Sequence, residues 1–367
     1  MTDTPATERP VLSAVRNRIG HLTLNRPAGL NALTLDMIRQ LHGQLAEWAE
    51  DPAIHAVVLR ANGEKAFCAG GDIRFLYDSF KAGDTAHETF FEEEYALDHY
   101  IHTYPKPVLA LMDGFVLGGG MGLVQGATLR VITERARMGM PEVGIGYFPD
   151  VGGSYFLSRL PGELGTYLGV TGVHIDAADA LYAGLADHCI THDQLTELDR
   201  CLDGMSWSVH PEEALRTLVS SLAVGRPATA ELEALRPAID AHFAHADVQA
   251  IRAALAEEQR PAYRDWAQAT LKVMDGRSPL AMCVTRELLH RGRLLDLPAC
   301  FALELHLDRQ WFAQGDIMEG VRALIVHKDK NPHWNPPSLD AVDADRVAAF
   351  FAGFKPAAAR SRRLVTA

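Results

Sequence analysis

Two carboxylates stand close together in a stretch of the sequence, residues 140–153, that is otherwise apolar and rich in glycine and proline. They are Glu142 and Asp150. A carboxylate in apolar surroundings is costly unless it is paired, hydrogen-bonded or used. The pattern therefore indicates acid–base or nucleophilic chemistry. A purely structural alternative makes Glu142 a helix-start residue and Asp150 the N-cap of the stretch that follows Pro149.

A glycine pair lies earlier in the chain, within residues 67–73. Gly70 and Gly71 follow a β-type run, and Asp72 stands near the start of a predicted helix. Paired glycines let the backbone approach a ligand closely and aim free amide groups at it, as an anion or oxyanion site requires. The alternative interpretation is a tight turn from strand to helix.

A second glycine cluster comprises Gly114, residues 118–120 and Gly122. It follows the apolar run Val108–Met112 and again leads toward a helix. Two separated loops of this type could polarise one carbonyl oxygen between them, which is the layout of an oxyanion hole. Close helix packing through small residues would explain Gly122, but it explains three successive glycines less easily.

The elements that must position these groups alternate in type over the first half of the chain, which predicts an α/β fold. The second half is rich in Ala, Leu and Glu and predicts amphipathic helices, one of them interrupted at Pro237. We therefore expect a core over residues 1–200, a helical region over 201–350 and a loosely ordered tail over 351–367. The predicted strands are residues 11–15, 21–24, 56–59, 108–112 and 129–132; the predicted helices are 35–50, 211–224, 229–259, 278–291 and 297–314.

Composition narrows the class of function. The 367 residues carry a formal net charge of −12, which argues against a nucleic-acid partner because a phosphate-backbone binder needs a basic excess. The five cysteines have no CxxC spacing, so they predict reduced thiols and no metal site. Residues 1–10 carry no apolar signal segment, and no apolar run is long enough to span a bilayer. These features predict a soluble cytoplasmic protein with no membrane partner.

Three motifs, taken in order, resemble the crotonase (enoyl-CoA hydratase/isomerase) superfamily. They are Asn25-Arg26-Pro27 with Leu30-Asn31-Ala32-Leu33, the turn over residues 67–73, and the cluster over 118–122. The resemblance implies a crotonase-type spiral of ββα units with a helical C-terminal region. It also implies that the peptide N–H groups of Gly71 and Gly119 hold the oxygen of an acyl-CoA thioester.

Within the superfamily the chain resembles most the 3-hydroxyisobutyryl-CoA hydrolase family. This resemblance implies hydrolysis of a short branched 3-hydroxyacyl-CoA, in valine degradation, with no metal or redox cofactor because CoA is part of the substrate. Further pieces that carry it are Glu93-Glu94-Tyr95, Phe148-Pro149-Asp150, Glu319-Gly320-Val321-Arg322-Ala323, Lys328-Asp329-Lys330 and Pro332-His333-Trp334.

The resemblance also assigns residues. Those matching Glu94, Gly119, Glu142 and Asp150 bind the substrate, with Glu142 and Asp150 catalytic. The ADP portion of CoA is expected along two short segments, which contain Arg26, Ala28, Leu30, Lys65 and Ala66.

One position separates the hydrolase from its nearest rival, an enoyl-CoA hydratase or isomerase. Hydratases of the superfamily use two glutamates, one of them three residues after the oxyanion glycine, and here that position is Gly122. Glu142 remains either a nucleophile or a general base for water. A noncatalytic CoA-ester-binding subunit is a further alternative, and a homo-oligomer is possible.

Overall fold

The computed structural model of the protein describes residues 9–225 and 230–356. Residues 1–10, which are predicted to contain no targeting signal, lie mostly outside this range. The predicted loose tail lies outside it from residue 357 onward. The proposed boundaries at residues 200 and 350 stay a prediction.

A large sheet of six strands runs in the order β1-β2-β3-β5-β7-β9. Strand β1 pairs antiparallel with β2, and the other neighbours are parallel, with Val57 opposite Val108 and Leu109 opposite Leu129. The strands of this sheet are β1 Val11–Arg16, β2 Ile19–Leu24, β3 Ala56–Ala61, β5 Val108–Met112, β7 Leu129–Thr133 and β9 His188–Ile190.

A small parallel sheet of three strands stands beside the large one, in the order β4-β6-β8. Its members are β4 Ala66–Cys68, β6 Phe115–Leu117 and β8 Arg137–Gly139. Each of them directly follows a strand of the large sheet and precedes a helix. The chain therefore forms repeated ββα units, and in each unit the first strand belongs to the large sheet and the second to the small sheet.

Helices surround the two sheets and form most of the chain after residue 190. Those of the first part are α1 Leu35–Glu50, α2 Ile73–Ala82, α3 Ala86–His102, α4 Gly119–Gln125, α5 Gly153–Phe156, α6 Leu164–Thr171 and α7 Ala177–Ala183. Those of the second part are α8 Leu195–Gly204, α9 Pro211–Leu222, α10 Glu231–Phe243, α11 Val248–Ala256, α12 Arg264–Asp275, α13 Pro279–Gly292, α14 Leu297–Gln314, α15 Ile317–Val321 and α16 Ala344–Phe351. A short π-helix, Arg322–Val326, follows α15 directly.

The central strands of the large sheet are buried on both faces, as their continuous apolar sequences require, whereas the edge strand β1 is largely exposed. Alternate residues of β3 point to opposite sides: Val57 and Leu59 join the main core, whereas Ala56 and Val58 join a second cluster under α8 and α9. Helices α3 and α14 pack against each other on the main-core side. This contact brings the C-terminal helical region next to the small sheet.

Local signals explain the helix starts near the site. The Asp72 side chain accepts the Phe75 amide and caps α2, and the Asp296 side chain accepts the Ala299 amide and caps α14. Both helices begin where these caps predict. The bounds of α1, β5 and α14 agree with the sequence prediction residue for residue.

Two predictions about elements are wrong. The predicted helix is not interrupted at Pro237, which lies inside α10. The helical stretch is interrupted instead at residues 244–247, and the Asp247 side chain caps α11. A single missing N–H is tolerated because the apolar side of α10, with Ile239 and Phe243, is buried. The predicted set of strands is also incomplete: β4, β6, β8 and β9 were not predicted, because three residues are too few for a periodic pattern and only pairing with neighbouring strands makes them strands.

Candidate active site

The small sheet brings three predicted site residues together. Its strands are parallel, so their carboxyl ends meet at one edge, and each strand ends a few residues before a functional group. Gly71 follows β4, Gly119 follows β6 and Glu142 follows β8. The sequence order of the three motifs is thus the spatial order of three neighbouring loops.

The two glycine loops touch. A Cβ placed on Gly119 would lie 3.5 Å from the Gly71 nitrogen, and one on Gly70 would lie 3.8 Å from the Gly119 nitrogen. Among the described residues, the nearby amides of Asp72 and Met121 donate to backbone oxygens, whereas the amides of Gly71 and Gly119 donate no loop hydrogen bond. Gly119 is also the first residue of α4, where an amide has no helical partner. The two N–H groups can therefore serve one acceptor.

Glu142 lies against the second glycine loop and opens a 3-10 turn, Glu142–Ile145. A Cβ on Gly118 would come within 2.7 Å of Glu142 Oε1, and Gly118 has a φ of +51°. Its other oxygen, Oε2, is buried and has no hydrogen-bond partner among the described residues. A carboxylate held this way keeps its lone pairs for a ligand.

Asp150 is also buried, and it is held by Tyr95 of α3, whose hydroxyl donates to Asp150 Oδ2 over 2.7 Å. The alternative role of Asp150 as a helix cap is wrong, because Gly152 occupies the cap position of α5 and the Asp150 side chain bonds no amide of that helix. The Asp150 side chain is therefore held by the Tyr95 hydroxyl rather than by the start of a helix.

Glu304 of α14 fixes the turn that follows Asp150. Its carboxylate accepts hydrogen bonds from the Gly152 and Ser154 amides, at 2.7 and 2.8 Å, and from the Ser154 hydroxyl at 2.5 Å. Val151 within this turn has a φ of +50°, a conformation that is strained for a β-branched residue. The three bonds from Glu304 offset that strain and keep Asp150 in place.

Glu94 and Asp98 project from one face of α3, four residues apart, into the same interior. A Cβ on Gly119 would lie 2.4 Å from Glu94 Oε1, so this carboxyl group borders the paired amides. Neither oxygen of Asp98 has a hydrogen-bond partner among the described residues, and the side chain is fully buried. A Cβ on Gly122 would lie 2.5 Å from Asp98 Oδ2. Asp98 thus fills the space that a side chain at position 122 would need.

A second tyrosine and carboxylate pair lies behind the first. The Tyr147 hydroxyl donates to Asp308 Oδ1 over 2.8 Å. Asp308 stands one turn after Glu304 on α14. Glu304 and Asp308 are both buried, and burial, together with the nearby charge of Asp150, raises the pKa of each.

The buried carboxyl groups raise one another's pKa. Burial raises the pKa of Glu142 well above its ordinary value, and the charge of Asp150 adds to this. Burial also raises the pKa of Asp150 to about 7, against the lowering effect of the Tyr95 hydrogen bond. The pKa of Glu94 is raised well above its ordinary value by burial and then by Asp98. A pKa of about 7 allows Asp150 to exchange a proton near neutral pH.

These groups line a cavity of about 620 Å³, a volume in the range of small-molecule sites. Its lining includes Gly71, Glu94, Gly119, Glu142 and Asp150, with an apolar wall from α15 and the π-helix. All five residues predicted for catalysis and substrate binding therefore meet in one place.

The residues predicted to hold the ADP portion are placed differently. Arg26 lines the cavity, and Ala28 belongs to the same 3-10 turn as the lining residue Gly29, but Ala28 itself is not part of the lining. Leu30, Lys65 and Ala66 also lie outside the lining. Ala66 is buried in β4, and its carbonyl accepts the side chain of Asn31. Of the predicted set, the cavity wall includes Arg26 alone.

Sequence reasoning missed Asp98, Tyr95, Glu304 and Asp308. A signal for them was present, since Glu94 with Asp98 and Glu304 with Asp308 are acidic pairs at i and i+4 within largely buried helix faces. Within residues 9–225 and 230–356, no group of three or more His, Cys, Asp and Glu side chains has an arrangement that could hold a metal ion. No helix in that range has the length and apolar character to cross a membrane.

Comparison with known proteins agrees with this arrangement. Residues 19–351 match the family model described as enoyl-CoA hydratase/isomerase. The 3-hydroxyisobutyryl-CoA hydrolase, mitochondrial, of Rattus norvegicus is 38% identical over 344 residues, covering 93% of this chain and 88% of that protein. The enzyme of the same name from Homo sapiens is 36% identical over 345 residues, covering 93% and 88%.

Two solved structures are similar over nearly the whole chain. A protein described as a carnitinyl-CoA dehydratase from Mycobacterium thermoresistibile superposes with a TM-score of 0.87 at 37% identity, covering 95% of this chain and 98% of that one. One described as an enoyl-CoA hydratase from Rhodobacter sphaeroides gives 0.83 at 36% identity, covering 94% and 97%. The fold is therefore the α/β crotonase-type spiral, with a helical C-terminal region, that the sequence predicted.

The prediction of a cytoplasmic location is wrong by the same comparison. The relatives from rat and human both carry the word mitochondrial in their names. The sequence argument had relied on residues 1–10, a stretch whose composition does not decide the compartment of the enzyme.

Proposed function

The chain belongs to the enoyl-CoA hydratase/isomerase family, and we propose that it hydrolyses 3-hydroxyisobutyryl-CoA to 3-hydroxyisobutyrate and CoA. The observation that carries the proposal is the set of carboxyl groups around the paired amides. Glu142 and Asp150 are present, and the second hydratase glutamate is replaced by Gly122, whose side-chain space Asp98 fills. The names of the vertebrate relatives support the same reaction, which the resemblance puts in valine degradation.

Gly71 and Gly119 form the oxyanion hole of this proposal. The thioester oxygen accepts both amides, so that the negative charge that develops during acyl transfer is stabilised by donors already in place. Losing one such donor typically costs about 10²- to 10³-fold in rate. The small residues at these positions leave room for the oxygen, since Glu94 and Leu33 already crowd Gly119.

Glu142 performs the cleavage by one of two routes. In the first it attacks the thioester carbon, the C–S bond breaks, CoA leaves, and water opens the resulting mixed anhydride. In the second it takes a proton from water, which attacks the thioester directly. Single turnover in ¹⁸O-labelled water separates them, because water that attacks the Glu142 carbonyl of an anhydride leaves label in the protein, whereas direct hydrolysis labels the product alone.

Asp150 positions the substrate hydroxyl or the attacking water through the oxygen that Tyr95 leaves free. A pKa of about 7 lets it give or take a proton at neutral pH. Glu94 contacts the acyl end of the cavity beside Gly119. Hydrolysis involves no change of oxidation state, so the proposal includes no metal or redox cofactor.

Hydration of an enoyl-CoA is the second candidate, because two similar solved structures are described as a dehydratase and a hydratase. Adding water across a double bond in this family takes two glutamates. Here position 122 has no side chain, and Asp98, which occupies its space, does not line the cavity. The second carboxylate needed for hydration is therefore missing from the cavity wall.

The two candidates are separated with the purified full-length protein and two substrates. Free thiol released from 3-hydroxyisobutyryl-CoA measures hydrolysis, and loss of the enoyl absorbance of crotonyl-CoA without thiol release measures hydration. The proposal predicts thiol release from the first substrate and little turnover of the second. Efficient hydration of crotonyl-CoA with no thiol release from the hydroxyacyl ester would contradict it, and tight CoA binding without turnover of either would indicate a binding subunit.

A further inference from the structure

Arg277 is a half-buried cation in the wall of the active-site cavity. It precedes α13, and its Nε donates to the Thr171 carbonyl over 2.8 Å. Its Nη1 faces the turn that begins at Glu142, since a Cβ on Gly144 would lie 3.0 Å from it. Among the described residues the Arg277 guanidinium forms no ion pair with a carboxylate, and burial lowers its pKa.

The other arginines in the cavity wall are already engaged. Arg26 donates to the Ala32 carbonyl and pairs with Asp72. Arg74 pairs with Asp78 at 2.7 Å on the exposed side of α2. Arg277 is thus the arginine of the described cavity wall whose charge has no carboxylate partner.

His174, a further lining residue, does not add a second positive charge. Burial lowers its pKa, and the positive charge of Arg277 lowers it further, so the ring is neutral at neutral pH. This effect also places Arg277 near enough to His174 to influence it. The guanidinium is therefore the local source of positive potential on this side of the cavity.

A half-buried guanidinium without a counter-ion is unfavourable, and a bound anion would neutralise its charge. It keeps donors free for a phosphate, which arginine binds well through its planar fork. The acyl end of the cavity, in contrast, is bordered by the carboxyl groups of Glu94, Glu142 and Asp150, which offer no positive charge to an anionic acyl group. The anion that fits Arg277 is therefore on the other part of the ligand.

We propose that Arg277 binds the phosphate groups of the CoA moiety and so contributes to holding the substrate without taking part in the chemistry. The proposal rests on the proposed function, in that the ligand is a CoA ester. The neighbouring apolar wall, made of Ile317, Leu324 and Ile325, suits the uncharged pantetheine arm between phosphate and thioester.

The test compares Arg277→Gln with the wild type on two esters, 3-hydroxyisobutyryl-CoA and 3-hydroxyisobutyryl-pantetheine, which lacks every phosphate. The expected result for the CoA ester is a KM raised about 10- to 100-fold with kcat nearly unchanged, because a uniform binding contact is lost. For the pantetheine ester, KM should be the same in both proteins. Arg277→Lys, which keeps the charge but not the fork, should give an intermediate KM.

Arg286→Gln is the matched control. Arg286 is also half-buried, also belongs to the α13 region and also donates to a backbone carbonyl, that of His245, but it lies outside the active-site cavity. Its substitution should leave KM for both esters unchanged. Melting temperatures of all three variants establish that the folded enzyme is compared.

An equal rise of KM for both esters, or no rise for either, would overturn the proposal. If the wild type hydrolyses neither ester, the proposed function fails separately, and calorimetric titration with free CoA and with pantetheine still decides the role of Arg277. In that experiment the proposal predicts a loss of CoA affinity in Arg277→Gln with no change for pantetheine. Unchanged CoA affinity would contradict it.

Discussion

The Tyr95 hydroxyl donates a 2.7 Å hydrogen bond to Asp150 Oδ2, and both side chains are buried. Tyr95 belongs to α3 and does not line the cavity, so it acts on the site through Asp150. A hydrogen bond to the ionised form of a carboxyl group lowers its pKa. Tyr95 therefore sets both the orientation of Asp150 and the pH at which it titrates.

Tyr95→Phe should raise the pKa of Asp150, because the hydrogen bond that lowers it is lost while burial remains. We expect the limb of the pH–rate profile due to Asp150 to move to higher pH by about one unit, with kcat at neutral pH reduced roughly tenfold. The measurement is kcat as a function of pH for the two proteins. A lower kcat with an unmoved profile would mean that Tyr95 serves packing alone.

Gly119→Ala tests the paired amides. The added methyl group would clash with Glu94 Oε1 and lie 3.3 Å from Leu33 Cδ1, so it must displace one of the groups around the proposed oxyanion hole. We expect kcat to fall about 10²- to 10³-fold, the usual effect of losing such a donor. Steady-state thiol release gives this value directly.

Gly43→Ala is the control for that substitution. Gly43 lies in α1, is exposed, and has nothing within 4 Å of an added Cβ. Alanine there should stabilise the helix by about 0.5–1 kcal/mol and leave kcat unaltered. Wild-type kcat in Gly119→Ala would show that the two amides do not hold the reacting oxygen.

Asp98→Asn should stabilise the protein increasingly as the pH rises. Burial, followed by the charges of Asp150 and Glu304, raises the pKa of Asp98 well above its ordinary value of 3.8. Between that value and the raised native one, the folded chain keeps a proton that the unfolded chain releases, so wild-type stability falls as the pH increases. Asparagine removes this dependence.

The check is a series of melting curves for both proteins from about pH 4 upward. We expect similar melting temperatures at the acidic end and an advantage for the variant of about 2–4 °C near pH 8. If the difference were largest at acidic pH, or if the variant were less stable throughout, Asp98 would be charged and favourably paired in the native state, contrary to the geometry.

The local part of the site could be predicted from sequence because it is encoded in short segments. Gly71, Gly119, Glu142 and Asp150 each stand in a run whose composition is unusual for a plain turn or helix. The resemblance to the crotonase superfamily added which two glycine amides act together, and the parallel strands of the small sheet bring the loops after them to one edge.

The supporting groups could not be predicted in the same way. Tyr95 and Asp98 lie on α3 and Glu304 lies on α14, helices that meet only through tertiary packing. Their side chains become site residues because the α3 and α14 faces that carry them are buried against each other and against the turn after Asp150. Arg277 is similar: nothing in its neighbours reveals that it lines a cavity without a carboxylate partner.

The most direct test of the account is single-turnover release of CoA from 3-hydroxyisobutyryl-CoA by the wild type and by Glu142→Gln. Glutamine keeps the shape of Glu142, and because burial opposes the charge of this group, the fold should be retained with a melting temperature no lower than that of the wild type. The account predicts CoA release slowed by at least about 10²-fold in the variant. Release at the wild-type rate from folded Glu142→Gln would contradict it.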